Sequence, residues 1–346
     1  MESTDGGLRI VITSWGSYGD VNPYVGLARA LHARGHQPVL VMPGYYRGAV
    51  EHEGLEFRAL RPAVDPADTA LVARIMDARR GSEVIIREIM MPSLRESFDD
   101  LMSASEGSDL MLTHPITFAA PLAAEVRGIP WISTVLAPMS FFSVHDLPVF
   151  PPAPWMAGLR PLGSAAGRPL VALARAATRG WTAPVAALRE ELGLAPGSGD
   201  PLFEGQFSPH GTLALFSPLL GAPQPDWPAG VQVTGHVWYD GPAGGDRLDP
   251  ALADFLAEGE PPIVFTLGSS AVHNPGRFWA ESAEAARQLG RRAVLLVGSD
   301  PANAPRALPD GVAAFAHAPY SELLPRGCAT VHQGGVGTTA QALRAG

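Results

Sequence analysis

Short apolar runs and amphipathic stretches alternate along most of the chain. Leu8 to Thr13 is apolar apart from Arg9 and reads as a buried strand. After the loop Ser14 to Val21, apolar residues at Val25, Leu27, Ala28 and Leu31 mark one face of a helix. Asn22 as N-cap and Pro23 at the first helical position place its start, and Gly35 its end. Val39 to Met42 is the next strand, so a parallel β-α-β unit is expected, covered on both faces. Leu55 to Leu60 follows as a strand, and Ala67 to Ser105 as a largely helical stretch with breaks at Gly81 and Pro92.

Asp109 to Thr113 and Pro130 to Leu136 read as strands flanking a helix over Phe118 to Arg127. Leu170 to Leu192 reads as a helix and Thr212 to Phe216 as a strand. This is the doubly wound α/β pattern. Pro138 to Trp155 departs from it: Phe141, Phe142, Leu147, Val149, Phe150 and Trp155 are interleaved with prolines. A packed loop and a wall of an apolar ligand pocket both fit. Ser217 to Gly245 is dense in proline and glycine and reads as a linker. The alternation then restarts: helix Pro250 to Glu258, strand Ile263 to Leu267, turn Gly268-Ser269-Ser270, helix Gly276 to Leu289, strand Ala293 to Val297, strand Val312 to Ala316, a short helix from Ser321, strand Cys328 to Val331 and helix Ala340 to Ala345. The expected boundaries are a first domain over 1–216, a linker over 217–245 and a second domain over 246–346. A doubly wound domain would continue past Gly346, so the second domain reads as incomplete and the chain as truncated.

The 346 residues, 46% hydrophobic and 17% charged, suffice for two cores and argue against disorder. The net charge of −9 argues against a nucleic-acid partner. All 25 basic residues are arginines. That excludes a P-loop lysine and Schiff-base chemistry, and leaves only weak membrane association. The single cysteine, Cys328, excludes an intramolecular disulfide and fits the cytoplasm. Met1 to Asp5 is acidic and unlike a secretory signal, and no apolar run reaches the length of a membrane span.

The richest local chemistry lies in His332-Gln333-Gly334-Gly335-Val336-Gly337-Thr338-Thr339, between a strand and a helix. Its glycines let the backbone turn tightly, and the helix start favours a phosphate or diphosphate. A plain glycine-rich turn is the alternative. The loop after the first strand sits at the corresponding edge of the first domain, where open parallel sheets bind ligands. A dinucleotide oxidoreductase does not fit. Gly16 and Gly19 are spaced G-x-x-G, Met42-Pro43 supplies no acid for a ribose, and Asp20 would repel a pyrophosphate. H-E-x-x-H, G-x-S-x-G and paired-cysteine motifs are absent from the sequence.

Gly16-Ser17-Tyr18-Gly19-Asp20-Val21-Asn22-Pro23 resembles the G-S-x-G-D-V-x-P signature of family 1 glycosyltransferases with the GT-B fold. That branch includes sterol glucosyltransferases, glycopeptide-antibiotic glycosyltransferases and the rhamnosyltransferase that forms rhamnolipids. His332 to Thr339 is similar to the family's H-H-G-G-x-G-T-T donor motif, with Gln333 for the second histidine. Pro225-Asp226-Trp227-Pro228 and Phe265 to Ser269 are most like the rhamnosyltransferase subgroup. The resemblance covers essentially the whole chain. It implies two doubly wound Rossmann-like domains facing across a cleft, the first binding the acceptor and the second the nucleotide sugar.

The activity implied is inverting transfer of a sugar from a UDP- or dTDP-linked donor to a hydroxyl of a lipophilic or aromatic small molecule. No metal and no cofactor beyond the nucleotide sugar is implied, and the D-x-D pair of metal-dependent sugar transferases is absent from the sequence. Asp20 matches the catalytic base, with helix capping as the alternative. His114, expected beside the first strand in the order 3-2-1-4-5, is a candidate to tune or relay for Asp20, or a loop histidine with a local partner. His332, Gly334, Gly335, Gly337 and Thr338 match the diphosphate site, with Gly268, Ser269 and Ser270 as a second turn. His317-Ala318-Pro319-Tyr320 aligns with the W-x-P-Q segment that holds the nucleobase; a surface role for His317 is the alternative. Gly16, Ser17, Phe141 and Phe142 are the acceptor-side candidates. The pair that grips sugar hydroxyls is expected beyond Gly346. A non-catalytic nucleotide-sugar-binding fragment and a nucleotide-sugar epimerase remain as alternatives.

Overall fold

The computed structural model describes residues 7–65, 68–149, 153–241 and 247–346. Met1 to Asp5, Ala67, Phe150 and residues 242–245 of the expected linker lie outside the described residues. Contacts divide the chain into two compact units. One is Met1–Trp15 with Pro23–Val237; the other is Trp238–Gly346 with Gly16–Asn22.

The first unit holds a parallel sheet of β1 (Arg9–Thr13), β2 (Gln37–Met42), β3 (Glu56–Ala59), β4 (Leu110–Thr113), β5 (Trp131–Val135), β6 (Thr212–Ala214) and β7 (Val231–Val233). Its order is β3-β2-β1-β4-β5-β6-β7, so the chain reverses its direction of travel between β1 and β4, as expected. The strands are apolar because both faces are covered: Val11, Ile12 and Val39 to Met42 are wholly buried. Helices α2 (Leu94–Ala104) and α3 (Ala119–Arg127) bring Phe98, Leu101 and Leu122 onto Val11, Val41 and Met111. Each such side chain contributes about 1.5–3 kcal/mol by leaving water. Gly128, left-handed at φ 68°, closes α3 with its N–H on the carbonyl of Glu125.

Three expectations change. Helix α1 runs over Tyr18–His32, four residues ahead of the Asn22 start, and Pro23 lies inside it. The reason is a stronger cap at Ser17, described below. The helix expected over Leu170 to Leu192 is two, α4 (Ser164–Ala177) and α5 (Ala183–Glu191), parted by a turn with Gly180 at φ 82°. And the stretch read as linker contains β7, whose backbone pairs with β6.

The second unit holds β8 (Ile263–Thr266), β9 (Ala293–Leu296), β10 (Val312–Phe315) and β11 (Ala329–His332), all parallel, in the order β10-β9-β8-β11. Helix α6 (Phe278–Leu289) packs Trp279, Ala283 and Ala286 against Phe265, Leu295 and Val297. Short helix α7 (Tyr320–Leu323) and final helix α8 (Val336–Ala345) follow β10 and β11. The final helix starts at Val336 and not at Ala340, so half of the glycine-rich motif is its first turn. Among the described residues no helix is long and apolar enough to cross a membrane.

The proline-dense segment after β5 is packed in its first part. Phe141 is buried, stacked on Trp227 at 4.2 Å and on Phe207 at 5.5 Å between ring centroids. The Asp226 carboxylate accepts the Ser143 hydroxyl at 2.6 Å and the Val144 N–H at 2.7 Å. Pro225 to Pro228 thus fastens this loop to the sheet. Phe141 is used in that packing, so the packed-loop alternative describes it; Phe142, half-buried, lies against Phe203 at 4.7 Å.

Candidate active site

Asp20 is built by its own helix start. Ser17 caps α1: its carbonyl accepts the N–H groups of Asp20 at 2.8 Å and Val21 at 3.0 Å. Its hydroxyl accepts the Gly19 N–H at 3.2 Å. In return Asp20 Oδ2 accepts the Ser17 N–H at 2.8 Å and the Ser17 hydroxyl at 3.1 Å. This is a capping box, with Asp20 at its third helical position. Gly16, at φ 137°, passes so close that a Cβ there would lie 2.3 Å from Asp20 Oδ2. Only glycine leaves the carboxylate its seat. Gly16 and Ser17, expected at the acceptor, here fix the Asp20 carboxylate. The expectation that Asp20 stands outside the helix is corrected: the better cap lies upstream of Asn22. Capping and proton transfer are compatible, since a box fixes the carboxylate without protonating it. Burial raises the Asp20 pKa, and the two bonds from Ser17 restrain the rise.

His114 directly follows β4, which pairs with β1 in the register Ile12 to Leu112. Its Nδ1 accepts the Ile116 N–H at 3.4 Å, which assigns the ring proton to Nε2. The ring meets Tyr24 edge-on at 5.8 Å. The Thr117 hydroxyl donates to the His114 carbonyl at 2.7 Å and lies 2.9 Å from the Thr13 hydroxyl. Burial lowers the pKa of His114 from 6.5 to about 3, so the imidazole is neutral under physiological conditions. A neutral ring with its proton on Nε2 is a hydrogen-bond donor, not a carrier of positive charge.

Of the residues expected on the donor side, the two glycine-containing loops follow adjacent strand ends. β8 and β11 are paired, with His332 level with Thr266. After β8 the chain turns at Gly268, φ 64°, where a Cβ would lie 2.4 Å from Gln333 Nε2 and 3.3 Å from Thr338 Oγ1. Glycine is required both for its dihedral and for that approach. Ser269 and Ser270, expected in a turn, lie half-buried in the one-turn helix Gly268–Ala271. After β11, His332 Nδ1 accepts the Gly334 N–H at 3.1 Å, leaving Nε2 as the donor. Burial lowers its pKa, so this histidine is also neutral. Gly334 is left-handed at φ 82° and Gly335 caps α8 with no side-chain bond and no acid in the first turn. Thr339 N–H bonds the Gly335 carbonyl at 2.8 Å, while the N–H groups of Val336 to Thr338 reach no helix carbonyl, an arrangement that suits an anion. Thr338 is buried beneath that turn.

Beyond β10, His317 is exposed while Ala318 and Pro319 are buried, and Pro319 leads into α7. Tyr320, which stands at the glutamine position of the W-x-P-Q segment, has its hydroxyl 2.8 Å from Thr266 Oγ1. Among the described residues no three His, Cys, Asp or Glu side chains form a metal cluster. Sequence reasoning missed Thr266, the contact Tyr320 makes with it, and the cap at Ser17. Only the last carried a signal, the spacing S-x-x-D from Ser17 to Asp20.

These features invite comparison with known proteins. No family model matches the chain. O-mycaminosyltylonolide 6-deoxyallosyltransferase of Streptomyces fradiae is 37% identical over 98% of this chain and 79% of its own length. A sterol 3-beta-glucosyltransferase of Gibberella zeae is 28% identical over 98% of this chain, which spans only 24% of that protein. Among solved structures, the glycosyltransferase SsfS6 of Streptomyces sp. SF2575, complexed with thymidine diphosphate, aligns with a TM-score of 0.61 at 22% identity, over 98% of this chain and 80% of that one. The chain belongs to the family 1 glycosyltransferases and has their GT-B fold. It is a glycosyltransferase.

Proposed function

We propose that this enzyme carries out inverting, metal-independent transfer of a sugar from a dTDP- or UDP-linked donor to a hydroxyl of a lipophilic or aromatic small molecule, in the cytoplasm. The observation that carries the donor half is the pair of glycine turns after the paired strands β8 and β11, with His332 level with Thr266. The acceptor oxygen forms a bond to the anomeric carbon as the bond from that carbon to the diphosphate oxygen breaks. The acceptor proton goes to the Asp20 carboxylate, and the nucleoside diphosphate leaves from the opposite face. A raised pKa makes Asp20 a better base than an ordinary aspartate. The first-turn N–H groups of α8, the Gly268 turn, Thr338 and neutral His332 stabilise the charge growing on the diphosphate. His317, Ala318 and Pro319 bound the nucleobase. His114 donates from Nε2, tuning the acceptor side without carrying charge.

The relative at 37% identity is named for moving 6-deoxyallose onto O-mycaminosyltylonolide, which supports a 6-deoxyhexose donor and a natural-product acceptor here. Labelled dTDP- and UDP-sugars, offered with a panel of hydroxylated polyketides and sterols, test the reading. The expected result is a β-product from an α-donor, undiminished by EDTA. Retention of anomeric configuration, or turnover without any acceptor, would overturn it.

A further inference from the structure

We propose that Tyr320 is a positioning residue that ties the two anion-binding turns of the second unit to each other, and so acts on the diphosphate through Thr266 and Thr338, not on the nucleobase. The inference rests on the donor reading above. Tyr320 opens α7 directly after the His317-Ala318-Pro319 stretch. Its hydroxyl turns toward the sheet and meets Thr266 Oγ1 at 2.8 Å. Thr266 ends β8 and is level with His332 of β11. The same Thr266 oxygen accepts the N–H of Gly268 at 3.2 Å, the first residue of one turn. The Thr338 side chain, from the other turn, approaches the same hydroxyl and, with Thr266, restrains the rise that burial gives the Tyr320 pKa. Thr338 Oγ1 also sits where it would be 3.3 Å from a Cβ on Gly268. The result is a hydrogen-bonded chain from the Gly268 N–H through Thr266 to Tyr320, with Thr338 of the other turn set against it.

Turns of this kind bind phosphate through N–H groups held at a fixed spacing. Each turn alone has a single strand end to hold it. With the link cut, the two relax independently, and a ligand whose phosphates engage both loses more than a ligand that engages one. Tyr320 is half-buried and its hydroxyl is spent inward, which removes it from the role of base contact.

The readout is the ratio of Kd for thymidine monophosphate to Kd for thymidine diphosphate, measured calorimetrically on the full chain. Tyr320→Phe is expected to weaken diphosphate binding about tenfold and monophosphate binding about twofold, so the ratio falls about fivefold, as loss of one or two fixed hydrogen bonds would produce. A base contact, or a general loss of stability, weakens both ligands equally and leaves the ratio unchanged; that result overturns the inference. Thr266→Val cuts the same chain one atom further on and is expected to reproduce the fall. It decides the matter should Tyr320→Phe not fold, and an unchanged ratio in Thr266→Val is equally fatal. A wild-type protein that binds neither thymidine nor uridine diphosphate would instead sink the donor reading, and this inference with it.

Discussion

The two helices that begin at the motif loops, α1 and α8, use the same physics to opposite ends. Each start presents N–H groups that no helix carbonyl reaches. In α1 they are answered from within: Ser17 caps the helix and Asp20 closes the box. In α8 the cap is Gly335, which has no side chain, and the first turn, Val336 to Thr339, contains no acid. One helix start therefore holds a carboxylate and repels a phosphate, while the other is left for one. A glycine-rich strand-to-helix loop is thus not by itself a nucleotide site; the residue at the third helical position decides.

Replacing the carboxylate tests this contrast most severely. Asp20→Asn keeps an acceptor for the Ser17 N–H but removes the base, so kcat should fall about 10²–10⁴-fold, with donor affinity nearly unchanged. A fall of less than tenfold would remove Asp20 from the base role. Stability moves the other way. Because the Asp20 pKa is raised on folding, the folded state holds that proton more tightly than the unfolded state. The stabilisation is present below the ordinary carboxylate pKa and is lost as pH rises through the raised value. At pH 7 the asparagine variant should therefore melt no lower than wild type.

Crowding the donor side comes next. Gly268→Ala forces a Cβ against Gln333 at a positive φ and should weaken nucleoside diphosphate binding about tenfold, at a cost of about 1–3 kcal/mol in stability. Gln333→Ala in the same chain should recover the steric part and not the dihedral part, which thermal unfolding of the double variant would show. Ser17→Ala is subtler. It removes a hydroxyl bond to the charged carboxylate, so the acidic limb of kcat/KM should move up by about half a pH unit. An unmoved limb would mean that the limb does not report Asp20.

The smallest effect is expected at His114. Its depressed pKa means that the unfolded chain binds a proton which the folded chain refuses between 6.5 and about 3. Stability on this account is full above the unfolded value and declines as pH falls through that window. His114→Gln should flatten the decline, seen in urea midpoints at pH 7 and pH 5, and should cost only a few-fold in kcat if a neutral donor is all that is needed. Full activity in His114→Ala, with an unchanged pH profile, would leave the residue a packing role.

Much of this was readable in advance, for a definite reason. Parallel strands covered on both faces must be apolar runs, and Val39 to Met42 or Ala293 to Val297 can hardly be anything else. Glycines forced by close approach, such as Gly16 and Gly268, lie inside motifs and were found with them. Helix starts were less legible. Asn22-Pro23 is a good start by composition, but Ser17 donates two bonds and accepts three, and the better-satisfied cap wins. The same holds for Ala340 against Val336: a glycine-rich turn looks like loop until its carbonyls are paired.

The sequence by itself determined the two α/β patterns, the family and the placing of Asp20 and His332 within motifs that follow or end a strand, because periodicity and motif spacing are local properties. Only the tertiary structure decided that Phe141 is part of an aromatic core, that Tyr320 turns in toward Thr266, and that Gln333 lies against Gly268. Those facts depend on which side chains meet across strands brought together from distant parts of the chain, and on which hydroxyl finds the nearest unpaired partner there. No local pattern carries that information.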